Sequence, residues 1–320
     1  IATNWNDQPL RPEVEAALNW QAPAKIDEEN GYLMVLGFNA KEGVDPVQLG
    51  KRKLQTEIER YKVNIRRAEP EFSNATMDKD ELAFTRPKEE TCNYTETENC
   101  VRFYLARRIE DEQEIIKKQE RLLTHLSRLI ASPNYVEITP PHLSASIPSF
   151  SAVMHAAELE RMRAIRMIAE GKSDEGSARL FKLVSFSQNW LAQSESMVSY
   201  MIALAMVQRD LRIMDELMRA YPEKFSDVAQ MQAWLGRFSM GSMGIQRALE
   251  FESRYSLRIM SEIQDVTLQD EKNLWERRFA SLLLQRNATL NLSHDWHAVM
   301  IKLLQEPSIP LNQKYQRAQE

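Results

Sequence analysis

Five histidines and two cysteines are the scarcest reactive side chains in this 320-residue chain, and their spacing limits its chemistry. His294 and His297 stand three apart in SHDWHAVM, with Asp295 between them. Two imidazoles at helical spacing can share a metal ion, but a zinc-type site needs at least a third protein ligand, and the sequence names none. The pair therefore reads as a polar helix start. His155 falls in line with Leu159 and Met162 on the apolar face of its helix. A hydrogen-bonded core histidine is the plain reading there, and an acid–base group is the sharper alternative. Di-metal carboxylate helices carry Glu-x-x-His, whereas His155 and Glu158 run the other way round. There is no Gly-rich phosphate loop, Gly-x-Ser-x-Gly elbow or His-Glu-x-x-His. No cofactor, metal site or catalytic residue is expected, and the chain reads as a binder rather than an enzyme.

Cys92 and Cys100 frame the polar stretch TCNYTETENC. With no second Cys or His cluster beside them they make a poor zinc site, and no nearby His would generate a thiolate nucleophile. In an exported protein they would close a short disulfide loop, contributing roughly 2–3 kcal/mol by the chain-entropy model. In a reducing cytosol both would be inert thiols. Asn189, Gln193, Ser196 and Tyr200 fall at i, i+4, i+7 and i+11. On an unbroken helix they form a polar row leading into the apolar segment MVSYMIALAMV. A buried polar row must be hydrogen-bonded, so it either bridges to a neighbouring helix or lines a pocket. A turn at Ser194 to Ser196 would dissolve it. The fifteen methionines fit best as filler in a helical core.

The elements that must position these residues are helical. Nine glycines and abundant Leu, Ala, Met, Glu, Arg and Gln favour helix over sheet. The net charge is -5 with both signs interspersed, so there is no basic stripe of the kind that binds nucleic acid. Arg161, Arg163 and Arg166 sit among Glu158, Glu160 and Glu170, a mixture typical of a solvated helix face. No stretch reaches the roughly 18–20 apolar residues of a membrane span.

Along the chain, residues 1–30 read as a tether interrupted by Pro9, Pro12 and Pro23, with a short helix from Pro12 to Trp20. Asp45 and Pro46 open a helix expected to reach Arg67. Residues 70–98 read as a long polar loop. A single long amphipathic helix is expected over 99–131, because Ile109, Ile116, Leu123 and Ile130 recur every seven residues beside Ile115, Leu122 and Leu129. Pro140, Pro141 and Pro148 mark a boundary between an N-terminal helical region, 31–138, and a C-terminal helical-hairpin domain, 149–320. In the latter, Gly171 ends one helix and Ser173 opens the next. Leu211, Met214, Leu217 and Met218 mark another, stopped by Pro222. Val228, Met231, Leu235 and Phe238 mark a further one after Ser226, with a turn at Gly241 and Gly244. Trp296, Val299, Met300, Leu303 and Leu304 mark the last, capped by Ser293. The fold class is all-α: irregular stacked helical hairpins.

The segment RAIRMIAEGKSDEGSARLFKLVSFSQNWL resembles a tetratricopeptide-type hairpin. Together, NGYLMVLGFNAKEGVDPVQLG, the Cys92/Cys100 pair and LAQSESMVSYMIALAMVQRDL resemble a group of uncharacterised proteobacterial membrane-anchored envelope proteins. That resemblance implies an anchor ahead of Ile1, a periplasmic body and an oxidised cysteine pair, and it carries over no functional residues. The leading expectation is a periplasmic helical protein, tethered to the inner membrane only through that anchor, which binds a protein partner in the cell envelope as adaptor, scaffold or assembly factor. The alternative is a small-molecule or lipid-binding protein, hydrolytic or not, with its pocket along Asn189, Gln193, Ser196 and Tyr200. A cytoplasmic location is the alternative to the periplasm.

Overall fold

Few glycines and many straight-chain residues favour helix, and 69% of the described residues are helical in the computed structural model. The structure describes residues 7–64, 77–87, 89–141, 147–225, 245–270 and 285–305. Among them run eleven α-helices and no strand: α1 Pro12–Leu18, α2 Gly31–Leu36, α3 Pro46–Asn64, α4 Cys100–Leu105, α5 Ile109–Lys118, α6 Glu120–Ile130, α7 Phe150–Ala169, α8 Ser173–Gln193, α9 Met197–Ala220, α10 Ile245–Asp270 and α11 Arg286–Gln305. The fold is all-α. No described helix is long and apolar enough to cross a membrane. The helix expected around Val228–Phe238, and the turn at Gly241 and Gly244, lie outside the described residues.

Local punctuation sets several of these boundaries. The Asp45 carboxylate accepts from the Val47 N–H at 2.8 Å, and Pro46 fills the first position of α3. Between α7 and α8, Gly171 adopts φ +89°. The Lys172 and Gly171 N–H groups donate back to the carbonyls of Met167 and Ile168 at 2.9 and 3.2 Å. This pair of bonds satisfies the orphan carbonyls of a helix end and requires a left-handed residue, which glycine supplies without strain. The two long helices then fold back on each other as a hairpin.

The long helix expected over 99–131 is instead three helices, α4, α5 and α6. The cause lies elsewhere in the chain. Arg166 of α7 donates to the carbonyls of Tyr104 and Arg107 at 3.3 and 2.9 Å, acceptors that a continuous helix would need for its own ladder. Arg108 is extended, at φ -66° and ψ 147°, and restarts the chain as α5. A further bend at Gln119 separates α5 from α6. Ile109, on the supposed apolar seam, is left exposed.

Two hydrophobic cores draw on both sides of the proline-rich stretch 139–150, so that stretch does not divide the interior. One joins Tyr32, Leu54 and Leu126 to Phe150, Trp190 and Met206. The other joins Cys92, Cys100 and Tyr104 to Leu159, Met162 and Leu217. Helix α7 runs between them and is buried on nearly every side. The supposed N-terminal tether is also packed: Val14 of α1 is buried with Leu257 and Leu290, and the Asp7 carboxylate accepts from the N–H groups of Asn287 and Ala288. That distant cap starts α11 at Arg286, so Ser293 lies inside the helix rather than at its start.

Helices α2 and α3 meet backbone to backbone. A Cβ built on Gly50 would lie 1.9 Å from the Leu33 carbonyl oxygen. In an ordinary exposed helix, Gly→Ala gains up to about 1 kcal/mol. At this crossing Gly50→Ala should instead lose about 1–3 kcal/mol, the cost typical of overpacking, and lower the urea midpoint. A raised midpoint would show that the helices do not approach so closely.

Candidate functional site

Helix α7 places Glu158 and Arg161 one turn apart, and both are fully buried. The expected solvated face is only partly so: Arg163 and Glu170 reach water, whereas apolar neighbours close Glu158 and Arg161 off from it. Charges in that position must be paired. The Arg161 Nε donates to Asp210 Oδ1 at 2.7 Å, and its Nη1 lies 3.1 Å from Glu158 Oε1. Glu158 also accepts from Arg209 at 2.9 Å and from the Tyr94 and Tyr104 hydroxyls at 2.7 and 3.2 Å. Burial alone would weaken the Arg161 cation, but Asp210 and then Glu158 hold its pKa above the usual value. Burial, reinforced by Glu158, pushes both phenols up and keeps them protonated donors.

The disulfide loop closes over this cluster. Cys92 and Cys100 are bridged, with Cα atoms 5.7 Å apart. Between them, the Tyr94 ring lies under the guanidinium groups of Arg209 and Arg212, at 5.1 and 5.7 Å. Arg212 donates to the carbonyls of Tyr94, Thr97 and Glu98 and to Glu216. Glu216 accepts in turn from the Val101 N–H at 2.8 Å. One arginine thus fastens the loop to α9, and the bridge holds Tyr94 where Glu158 needs a donor.

His155 is buried as a core residue, but neither ring nitrogen makes an aligned hydrogen bond. Nε2 sits 3.1 Å from Glu90 Oε2, and the ring tilts against Phe84. Burial, then the charge of Arg86, lowers its pKa to about 4 against an opposing effect of Glu158. The imidazole is therefore neutral at pH 7.

The polar row does not survive as a row. Helix α8 stops at Gln193, Ser194 is extended at φ -62° and ψ 133°, and α9 begins after Ser196. Asn189 is exposed, the Gln193 carbonyl accepts from Arg247, and Tyr200 is buried. Ser196 caps α9 by accepting from the Ser199 N–H, and it donates to Glu137. The buried Glu137 carboxylate also accepts from the N–H groups of Glu195 and Ser196 at 2.9 and 3.2 Å. Burial raises its pKa against those donors. A negative group at the N-terminus of α9 meets the positive end of the helix dipole. His155, Asn189, Gln193, Ser196 and Tyr200 do not converge on one site.

Sequence reasoning missed Glu137, Glu158, Arg161 and Asp210. The available signal was Glu158 and Arg161 interrupting the apolar sequence of α7, since a helix apolar all round is an interior helix. Among the described residues, no group of three His, Cys, Asp or Glu side chains is placed to hold a metal ion. His294 and His297 lie within α11 rather than at its start; His297 contacts the Ser293 carbonyl at 2.7 Å, and Asp295 pairs with Arg11 at 2.6 Å.

Several open features lie among the described residues. A groove of about 760 Å³ lies between α2, α3 and the segments 77–84, 138–140 and 147–149. A smaller cleft of about 340 Å³ takes in Asn189, Phe181 and Phe186. On α11, Leu292, Trp296 and Val299 are 71%, 48% and 42% exposed, and their spacing puts them on one helix face. No protein-family profile, curated protein or solved structure matches the chain.

Because the folded pKa of His155 lies below its unfolded value near 6.5, the unfolded chain binds the proton first as pH falls. Stability is then lost between about pH 6.5 and 4, by up to about 3 kcal/mol from this group. Urea unfolding at pH 7 and 4.5 should show His155→Phe losing less stability on acidification than the parent; equal losses would exclude His155 as a cause. Reducing Cys92–Cys100 should cost about 2–3 kcal/mol at pH 7, read as a lower urea midpoint.

Proposed function

We propose that this protein acts by binding another protein through α11, as an adaptor, scaffold or assembly factor of the cell envelope. The observation that carries the reading is the exposed apolar stripe Leu292, Trp296 and Val299. Isolated exposed apolar residues are ordinary, but three on one helix face make a contiguous patch. Anchors at i, i+4 and i+7 are what a helix presents to an apolar groove of a partner, and tryptophan is enriched among residues that dominate binding energy. The Cys92–Cys100 bridge supports an oxidising compartment, for which we take the periplasm. An N-terminal membrane anchor, which the envelope resemblance implies, would be continuous with residues 7–18, and these pack on α10 and α11. The pocket reading is weaker, because Asn189, Gln193, Ser196 and Tyr200 do not face one cavity.

A photo-crosslinking residue placed in turn at Leu292, Trp296 and Val299 tests the surface in cells of the source organism, with Glu110 on α5 as an exposed control. All three stripe positions should capture the same partner, and Glu110 should not. Trp296→Asp should reduce capture at Leu292 by roughly tenfold or more, given the energies of central aromatic anchors. Capture that is independent of position would refute the surface, and a species of twice the chain mass would replace the envelope partner with a second copy.

A further inference from the structure

The smaller cleft opens between α6, the segment that follows it, and α8. Leu129 and Ile130 of α6, Phe181 and Phe186 of α8, and the Tyr135 ring give it apolar walls. The fold fixes these walls. The Gly31 N–H donates to the Asn134 carbonyl at 2.9 Å. The Asn30 side chain donates to the Val136 carbonyl and accepts from the Val136 N–H, at 2.7 and 2.8 Å. The Tyr135 and Phe186 rings both tilt against Trp190. The cleft is therefore formed before any ligand arrives, and its volume of about 340 Å³ lies at the low end of small-molecule sites.

Charge distinguishes one end of it. Among the described residues that line the cleft, Lys182 alone is charged at pH 7. It is exposed, and its ammonium group has no hydrogen-bond or ion-pair partner among the described residues. The other polar lining groups offer less. The Asn134 amide donates to Asp27 at 2.9 Å, and its carbonyl oxygen and the Ser185 hydroxyl are closed to solvent. Asp27 itself does not line the cleft. Asn189 lines it, is exposed, and lies on the Lys182 face of α8, about 10 Å further along the axis. A molecule with one negative charge and a flat apolar body gains from the lysine and from the walls together. A dianion would need a second cation, and the described lining supplies none. We infer that the cleft binds a small aromatic monocarboxylate, its carboxylate on Lys182 and its ring against Ile130, Phe181 and Phe186. The inference does not rest on the α11 surface, which contributes no residue to this cleft.

The probes are 2-naphthoate and its uncharged amide, 2-naphthamide, titrated into the full oxidised chain and followed by ligand-observed NMR. The acid should bind saturably. The amide, of the same shape, should bind about three- to tenfold more weakly, the span between an exposed ion pair and a charged hydrogen bond. Lys182→Gln should lower the affinity for the acid to that for the amide, and Lys182→Arg should keep the preference. Asn189→Trp, at an exposed position, should abolish binding of both by filling the far end of the cleft. Lys79→Gln, an exposed lysine of the larger groove, should change nothing. A peptide ending in phenylalanine presents the same ring and carboxylate from a protein source. Binding it about tenfold more tightly than 2-naphthoate would overturn the free acid in favour of a chain terminus. Absence of saturable binding, equal affinity for acid and amide, or a loss shared by Lys79→Gln would each overturn the inference.

Discussion

A buried guanidinium governs this molecule: Arg161 lies inside α7 with no exposure, between Glu158 on its own helix and Asp210 on α9. Transfer of an ion into a low-dielectric interior is unfavourable by several kcal/mol unless partners neutralise it in good geometry. Arg161 can therefore be accommodated only if α9 lies beside α7 in the register that brings Asp210 to it. Glu158 then needs donors of its own, which Arg209, Tyr94 and Tyr104 provide. Tyr94 belongs to the disulfide loop, and so the loop's position follows from the same constraint. Apolar packing would tolerate several registers of these helices; the ion cluster admits one.

The same logic separates structural polar groups from candidate sites. Glu137 is buried but saturated with donors from the turn into α9. Glu216 is divided between Arg212 and the first turn of α4. Such carboxylates hold backbone in place. Asn39 and His155 differ, since each keeps a buried atom without a hydrogen bond and closed to solvent. His155 is shut in by Phe84 and Glu90.

Features set by neighbours in sequence were legible, and those set from afar were not. Asp45 with Pro46, Gly171 and Pro222 mark helix ends through bonds or ring constraints that operate within a few residues. The close spacing of Cys92 and Cys100 likewise announced a loop, although only the fold shows what the loop covers. By contrast, the breaks in 99–131 arise partly because Arg166 takes carbonyls some 60 residues away. The start of α11 is set by Asp7, 280 residues away. No periodicity reports such partners. The row from Asn189 to Tyr200 failed for a more local reason: Ser194 and Ser196 are as content in a turn as in a helix. Here the Ser194 hydroxyl bonds back to the Trp190 carbonyl, and the Ser196 hydroxyl caps α9. Charge content misled in part at α7: Arg163 and Glu170 do reach water, but Glu158 and Arg161 do not. The apolar residues on most of the helix were the better guide to those two.

Stability is also distributed unevenly in a way that bears on binding. The two large cores enclose α7 and bring α8 and α9 with it, while α1, α10 and α11 share a small third core built on Val14, Leu257 and Leu290. Polar ties to the remainder include Met197 N–H to Glu252 and Arg247 to Gln193, and Ala248 of α10 belongs to the first large core. The exposed stripe sits on α11, which packs on α10 and α1. An apolar helix face left exposed on a helix that the rest of the fold already holds is suited to docking on a protein surface.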